Sequence, residues 1–459
     1  GKVDFDPGPG VVEHTAGDDG RAPSRIRGRL DAFVVKYDAK GGLAWHLVLG
    51  GSGVNLARSL AVDELGGVAV AGQFQGVVDF DPADPPDEAD TLDSGIGRNA
   101  YVARYDDSGA FLWVVGIGDD DVPPRGSREL PVEWSEGIRD VAIGEDGRVY
   151  VAGMFRGRID LDPGEESVSR ASCEDSRDAF LACYDAEGRY VWDVVVGGKG
   201  MDQGHAVALG PGGRVALGGV FEELVDFDPG SGERPAVSAG GWDVFVATYD
   251  EDRTLHELWT WGGKDSDQIG SSALAFDQDG AIYAAGSFNG RIDFDPGRKR
   301  TMRESAGESD AWLVRYTKEG KLDWALTFGG AREDRGLDLV RDRSGHVLVC
   351  GRFRAEADFD PGRRKRTLEA SGKGGASDAF VVCYDRKGKY RWAQAVGAEV
   401  TGARNVTAAW GIARGSGDEV VVVGTYFGQP ELGERRESFV LPNAGSSDVF
   451  VVRYDAEGK

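Results

Sequence analysis

The segment Asp31–Asp38 reads DAFVVKYD, and close copies of it recur along the chain. Each copy places apolar, β-branched and aromatic residues between polar ends, a pattern typical of a buried β-strand. The copies begin 65 to 79 residues apart, so the repeat has to be analysed before domains are counted. The copies are Asp31–Asp38, Asn99–Asp106, Asp178–Asp185, Asp243–Asp250, Asp310–Thr317, Asp378–Asp385 and Asp448–Asp455.

Working outward from this phrase, a full repeat contains four strand-like runs, which we label a to d. In one repeat, strand a is Ala57–Val62, strand b is Val68–Phe74, and strand c is the recurring phrase at Asn99–Asp106. A long b–c connection opens with DFDP at Asp79–Pro82, whereas the a–b and c–d links are short and rich in Asp and Gly. Strand d carries a tryptophan in successive repeats: Trp45, Trp113, Trp192, Trp259, Trp324 and Trp392.

The short links have the composition of hairpin turns that need residues with positive φ. A four-stranded antiparallel sheet that repeats along the chain is a β-propeller blade. We therefore predict an all-β fold, with residues 1–459 forming a single β-propeller domain and the small residues of strand a innermost. Seven blades are favoured, with the first and last incomplete. The alternative is six blades, in which C-terminal a and b strands complete the N-terminal c and d strands.

Three phrases of the repeat carry a family resemblance: G-x-F-x-G-x-V-D-F-D-P-G, D-A-F-V-x-x-Y-D-x-x-G-x-x-x-W and G-G-x-x-x-D. They resemble the bacterial SBBP-type β-propeller repeats across essentially the whole chain. The resemblance implies a propeller and a secreted or cell-surface location, and it implies little about activity, because fold does not determine function. The chain departs from the pattern at Tyr426–Gly433, which lacks the DFDPG phrase, and at Asn99, where Asp is usual.

Charge and hydropathy exclude two classes of partner. The net charge of −25 disfavours nucleic-acid binding and attachment to an anionic membrane surface. No apolar run approaches the roughly 20 residues that span a bilayer, so we predict no membrane insertion.

The long b–c and d–a connections are predicted to share one end of each blade, which becomes the candidate binding face, because loops on a rigid scaffold carry function. Two neighbouring b–c connections are basic and could attract an anionic partner such as an acidic protein or a sulfated glycan. The simpler interpretation is local charge balance with nearby aspartates. The basic residues are Arg298, Lys299, Arg300, Arg363, Arg364, Lys365 and Arg366.

Aspartates also recur on the predicted binding face. Two aspartates of each DFDPG phrase and the one that opens strand c could supply hard oxygen ligands to Ca²⁺. The simpler interpretation is that Asp-Pro-Gly forms an Asx-stabilised turn. Calcium is the one cofactor that the sequence suggests. The residues are Asp79, Asp81, Asp160, Asp162, Asp178, Asp226, Asp228, Asp243, Asp293, Asp295, Asp310, Asp358, Asp360 and Asp378.

An insertion between strands d and a, Gly118–Glu136, lengthens one repeat and contains Trp134. An exposed tryptophan suits stacking on a sugar or contact with a protein. The alternative is that Trp134 packs the insertion onto its blade.

Catalytic signals are weak. The five histidines fall at unrelated positions of the repeat, and the sequence has no nucleophile-elbow or phosphate-loop motif. We therefore predict a non-catalytic extracellular interaction scaffold that binds a protein or glycan. A glycan-binding, lectin-like propeller is the alternative, and an enzyme is less favoured. The sequence leaves the oligomeric state open.

Overall fold

The repeats fold as blades of the β-propeller type in a computed structural model, and the described residues are all-β apart from one 3₁₀ turn at Cys173–Asp175. The structure describes residues 2–16, 30–51, 53–83, 86, 89–118, 136–162, 167–295, 300–362, 364–372, 375–398, 406–415, 417, 419–432, 439–443 and 447–459.

Six sheets, I to VI, contain three or more strands each, and their strands follow the antiparallel order a-b-c-d that the sequence predicts. Strand a is Leu56–Val62, Glu136–Ile143, Gln203–Leu209, Gln268–Phe276, Arg335–Arg341 and Ala408–Arg414. Strand b is Val68–Asp79, Val149–Arg156, Val215–Phe221, Ile282–Asp293, Val347–Phe353 and Val420–Tyr426. Strand c is Thr91–Tyr105, Arg177–Tyr184, Asp243–Tyr249, Met302–Tyr316, Asp378–Tyr384 and Asp448–Tyr454. Strand d, in sheets I to V, is Phe111–Ile117, Tyr190–Val196, Leu255–Trp261, Leu322–Gly330 and Tyr390–Val396.

Smaller hairpins complete the architecture. The first copy of the phrase forms a two-stranded hairpin, Ala32–Tyr37 with Leu43–Leu49. Outer hairpins form within b–c connections, and the one in the repeat of sheet V also pairs with the end of strand d in sheet IV. The outer hairpins are Lys2–Asp4 with Glu13–Thr15, Arg158–Asp160 with Ser169–Ala171, Leu224–Asp226 with Pro235–Val237, Glu356–Asp358 with Thr367–Glu369, and Glu431–Leu432 with Phe439–Val440.

The favoured count of seven blades is wrong, because the described residues form six sheets of blade size. The alternative count of six is the one observed, but it arises differently from the arrangement that we expected. The C-terminal strands a and b pair with their own strand c, with Val420 opposite Tyr454. That local partner occupies the sheet edge at which the N-terminal hairpin was expected to join.

By its internal contacts the chain divides into two compact units, which are described separately: Gly1–Val207 with Pro229–Ser231, and Ala208–Asp228 with Gly232–Lys459. The first contains the N-terminal hairpin and sheets I and II, the second contains sheets IV to VI, and the division falls within strand a of sheet III. No helix in the described ranges is long and apolar enough to cross a membrane.

The core lies between facing sheets, because both faces of a blade must be covered. Between sheets I and II, Val102 and Ile117 pack with Ile138 and Val151. Between sheets V and VI, Cys350 and Val381 pack with residues such as Ile412. The a strands of neighbouring sheets are adjacent within each unit. Ser59 Oγ donates to Asp140 Oδ1 at 2.8 Å in the first unit, and Ile412 N donates to Asp338 Oδ2 at 2.9 Å in the second.

The strand d tryptophans link successive repeats. Five of the six indole N–H groups donate to a backbone carbonyl in the c–d turn of the following repeat, which explains why a tryptophan recurs at this position. The exception is Trp192, whose buried Nε1 has no hydrogen-bond partner among the described residues. The pairs are Trp45 with Asp107, Trp113 with Ala186, Trp259 with Gly320, Trp324 with Arg386, and Trp392 with Ala456.

Candidate functional site

The b–c connection folds back along its own blade. In sheet V, strand b begins at Val347, opposite Tyr384, and ends at Phe353, opposite Asp378. The Tyr384 hydroxyl nevertheless donates to the carbonyl of Phe359, which follows strand b. The chain has therefore returned toward the end of the blade that carries the short turns. The same hydrogen bond from a tyrosine hydroxyl to a backbone carbonyl, which we call the tyrosine tie, occurs in other repeats. It joins Tyr37 to Phe5, Tyr105 to Phe80, Tyr184 to Leu161, Tyr249 to Phe227, and Tyr316 to Phe294.

Burial of the phrase's aromatic residue drives this return. Phe359 is almost fully buried and lies 5.0 Å from Phe380 and 5.5 Å from Phe353, measured between ring centroids. In sheet II, Arg170 of the outer hairpin donates to both carboxylate oxygens of Asp193 on strand d, at 2.8 and 2.5 Å. The connection thus covers the outer strand of the blade.

This geometry corrects the position that we predicted for the basic residues. We expected Arg364, Lys365 and Arg366 at the end of the blade where the long connections begin and end. Arg364 and Arg366 instead border a cleft beside the start of strand d, next to the c–d turn that Lys389 closes. The prediction failed because it treated the b–c connection as a loop confined to one end, whereas its buried phenylalanine pulls it along the blade.

The cleft, which we call the basic cleft, encloses about 720 Å³. Four cationic side chains line it, with one carboxylate from Asp360. Arg364, Arg366, Lys389 and Arg391 are all exposed, whereas Tyr390 and Trp392 are partly buried. Burial raises the pKa of Tyr390, and the positive charge of Arg366 opposes that rise. The cleft therefore combines exposed cations with two partly buried aromatic rings of strand d. The lining residues are Asp360, Gly362, Arg364, Arg366, Lys389, Tyr390, Arg391, Trp392 and Ala393.

Strand d contributes four of the nine lining residues, with Lys389 just before it, and sequence reasoning missed them. Lys389, Tyr390 and Arg391 alternate basic and aromatic character at the start of the strand, which was the available signal. Only the return of the b–c connection brings them beside Arg364 and Arg366. Of the other predicted residues, Arg300 is exposed in the connection of sheet IV, and Lys365 is exposed beside the cleft. Trp134, Arg298, Lys299 and Arg363 lie outside the described residues.

The first aspartate of each DFDPG phrase closes its loop. Asp293 Oδ1 accepts hydrogen bonds from Asp295 N at 3.1 Å and Thr301 N at 2.8 Å. Asp160, Asp226 and Asp358 make the same two bonds, and Asp79 accepts from Asp81 N. In the second position, Asp360 accepts from Gly362 N and Asp81 from Ala83 N. The bonds from the residue two positions on are Asx-turn contacts, and the bonds from the residue eight positions on close the loop. Asp162, Asp228 and Asp295 occupy the same second position in their phrases.

The aspartates that open strand c have a different role. Asp178, Asp243, Asp310 and Asp378 are buried, and each accepts a backbone N–H from the returning b–c segment. Across the described part of the chain, no three carboxylate, imidazole or thiol groups come close enough together to hold a metal ion. The three aspartates of one repeat thus accept their hydrogen bonds at separate places in the repeat.

Two repeats contain a pair of buried carboxyl groups that the sequence reasoning did not identify. Asp243 and Asp267 form one pair, and Asp310 and Asp334 the other; the second member is the aspartate of the GGxxxD phrase. Burial raises the pKa of Asp267 to about 8 and that of Asp334 to about 7, and the charge of the neighbouring aspartate adds to each rise. The recurrence of GGxxxD was the signal that could have identified them.

Comparison with known proteins gives distant similarity. No protein-family profile matches the chain. It is 21% identical, over 92% of its length, to an uncharacterized WD repeat-containing protein of Acanthamoeba polyphaga mimivirus, and 29% identical, over 48%, to the regulatory protein FlaEY of Caulobacter vibrioides. The matches cover 33% and 22% of these relatives, so the chain spans a third or less of their length.

Similar solved structures include Sqt1 from Chaetomium thermophilum, with 12% identity, 80% of this chain and 93% of that chain covered, and a TM-score of 0.32. A gluconolactonase from Xanthomonas campestris has 10% identity, with 69% of this chain and 74% of that chain covered, and a TM-score of 0.28.

Proposed function

We propose that this chain is a non-catalytic interaction scaffold and that its basic cleft binds an anionic partner. The observation that carries the proposal is the convergence of Arg364, Arg366, Lys389 and Arg391 around one cleft. The chain as a whole carries a charge of −25, so it does not need this cluster of positive charge in order to be soluble. The four cations nevertheless repel one another. An anionic ligand would relieve that repulsion and gain charge-assisted hydrogen bonds.

The chemistry of the lining favours binding over reaction. Guanidinium groups present several N–H donors in a fixed plane, which suits carboxylate and sulfate groups. Tyr390 and Trp392 add apolar area beside these donors, which suits a segment with both charged and apolar parts. We propose a secreted or cell-surface setting for this interaction, on the basis of the resemblance to SBBP-type repeats.

An acidic protein segment is the partner that we favour, because the cleft offers side chains from strand d and from the b–c connection to an extended segment. A sulfated glycan is the second candidate, and the observation that favours it is the position of Tyr390 and Trp392 next to the cations. Aromatic faces beside guanidinium groups would contact both the ring and the sulfate of such a sugar.

Binding of an oligo-glutamate peptide and of a heparin oligosaccharide, measured on the intact chain, separates these candidates. Reversal of Arg364 and Arg366 to Glu should weaken binding of the true partner class by at least about tenfold. The matched control reverses Lys318 and Arg343, two exposed turn cations that are absent from the cleft lining, and should retain affinity. Equal binding by all three proteins would refute the cleft as the recognition surface. Turnover by the wild-type chain in a panel of hydrolase substrates would refute the non-catalytic assignment.

A further inference from the structure

Sheet VI exposes a largely apolar face. On strand c, Val449 and Val451 are 57% and 53% exposed. Val423 of strand b lies directly opposite Val451, so its side chain is on the same side of the sheet, and it is 40% exposed. Trp410 is half exposed, and its indole N–H donates at 2.9 Å to the hydroxyl of Thr425, which lies opposite Val449. These five residues form one continuous surface, which we call the sheet VI face.

The equivalent side of sheet V is buried. Ala379 and Val381 hold the second and fourth positions of the recurring phrase in sheet V, as Val449 and Val451 do in sheet VI. Both are 1% exposed, because they belong to the core that sheets V and VI share. Exposed apolar patches of this size and continuity on soluble proteins are typical of protein-binding surfaces. The sheet VI face therefore has the character of a face that another sheet covers.

The N-terminal hairpin exposes the opposite side of the same phrase. Its second and fourth positions, Ala32 and Val34, are buried against sheet I. Its third position, Phe33, is 41% exposed, whereas the equivalent Phe450 of sheet VI is buried in the core shared with sheet V. Phe33 and Val35 alternate with Ala32 and Val34 along the strand, and we call their surface the hairpin face.

The cores of the protein show which sides of the phrase pack together. In three cores, the fourth-position residue of one repeat lies with the third-position aromatic residue of the following repeat. These pairs are Val34 with Tyr101, Val102 with Phe180, and Val381 with Phe450. The sheet VI face presents the fourth-position side, and the hairpin face presents the third-position side. The two exposed faces are therefore complementary by the packing that the repeat already uses.

We infer that the sheet VI face of one chain binds the hairpin face of a second copy of the chain. The second copy is the occupant because the sheet VI face fits a third-position aromatic residue of this repeat. All seven copies of the phrase are described, and that residue is buried in every copy except the hairpin. The contact uses a different surface on each copy, so it can close into a ring or continue as a filament. It is separate from the basic cleft and does not depend on the proposed function.

The response to salt distinguishes this contact from binding at the basic cleft. Two chains that each carry a charge of −25 repel one another, and salt screens that repulsion. Association through two apolar faces should therefore become stronger as salt rises. Binding of an anionic segment to the basic cleft should instead become weaker, because its attraction is electrostatic.

Sedimentation velocity of the intact chain, over a series of protein concentrations at low and high salt, tests the inference. We expect reversible association that increases with concentration and with salt. Val449→Lys with Val451→Lys, and separately Phe33→Lys, should each weaken association by at least about tenfold, because the contact would bury unpaired charges. The added lysines reduce the net repulsion between chains, so a loss of association cannot come from overall charge.

A mixture of the two variants gives the sharpest result. Neither variant should associate alone, whereas an equimolar mixture should form a one-to-one dimer, because each variant supplies the face that the other lacks. Leu224→Lys with Val237→Lys is the matched control, because it adds the same charge to an exposed cross-strand pair of an outer hairpin and should leave association unchanged. Phe33 also contacts Phe5, so Val35→Lys replaces Phe33→Lys if that variant does not fold.

Three results would overturn the inference. The first is a wild-type chain that stays monomeric at every concentration and salt. The second is self-association of the Phe33→Lys variant as strong as that of the wild type, which would show that the hairpin face is not the occupant. The third is association that weakens with salt and is lost on reversal of Arg364 and Arg366 to Glu, which would assign self-association to the basic cleft.

Discussion

Gly388 lies directly against the indole ring of Trp324, and a Cβ added at Gly388 would be 3.2 Å from Trp324 Cδ2. Gly388 also has a φ of +74°, which favours glycine. Two requirements therefore favour glycine at this position of the c–d turn. The backbone has a positive φ, and the tryptophan of the preceding repeat leaves little room for a Cβ. These two requirements can be separated by experiment.

Gly388→Ala and Gly41→Ala form a matched pair. Gly41 occupies the same turn position with a φ of +85°, but nothing lies within 4 Å of an added Cβ. Backbone strain should cost about 1–2 kcal/mol at either site. Gly388→Ala should lose a further amount on the order of 1 kcal/mol because it crowds Trp324. Chemical denaturation measures both, and equal losses would show that the tryptophan contact is unimportant.

Tyr384→Phe tests the tie that folds the b–c connection back. The substitution leaves the carbonyl of Phe359 without its donor and should cost about 1–3 kcal/mol of unfolding free energy. Tyr454 is the control, because it holds the same repeat position where the DFDPG phrase is absent, and its hydroxyl makes no hydrogen bond within the described residues. Tyr454→Phe should change stability by no more than about 0.5 kcal/mol. A comparable loss in both variants would argue against the tie.

Substitutions of Asp293 distinguish two roles of this aspartate. One is closure of its loop, and the other is the calcium site, which remains a prediction of the sequence. Asp293→Ala should lower stability by about 1 kcal/mol, because two backbone N–H groups lose their acceptor. Asp293→Asn keeps an acceptor oxygen and should retain most of the stability. Under the loop-closing role, EDTA leaves the wild-type melting temperature unchanged. A calcium-dependent rise that both variants abolish would establish metal binding instead.

The buried carboxyl pairs predict how stability depends on pH. Asp267 and Asp334, with folded-state pKa values of about 8 and 7, bind protons more tightly than in the unfolded chain, where an aspartate titrates near 3.9. Their contribution is therefore complete below about pH 4 and is lost as pH rises through the folded-state values. Asp243→Asn removes the neighbouring charge of Asp267 and should flatten the decline in melting temperature between about pH 5 and 8. An unchanged slope would contradict this pairing.

The sequence predicted the strand order of the blades because the turn residues and apolar runs are local signals. It placed strand a correctly at one edge, and it identified DFDPG as a distinct element. It could not predict the return of the b–c connection, because this depends on a cavity for Phe359 that residues of several strands form together.

The count of six sheets depended on a choice between equivalent partners. Strand b of the last repeat could pair with either of two similar c strands, Ala32–Tyr37 or Asp448–Tyr454, whose phrases DAFVVKYD and DVFVVRYD differ at two positions. Sequence similarity between repeats removes the information that would distinguish them, and chain proximity selects the local partner.

The association rate of an oligo-glutamate peptide with the intact chain, measured over a range of salt concentrations, tests the central claim most directly. Exposed charges attract one another over a screening length of roughly 8 Å at physiological ionic strength. The basic cleft therefore predicts that association slows as salt rises. The Arg364→Glu and Arg366→Glu double variant should associate more slowly and lose this salt dependence, whereas its dissociation rate should change less. An association rate that responds to neither salt nor the double charge reversal would contradict the claim that the basic cleft recognises an anionic partner.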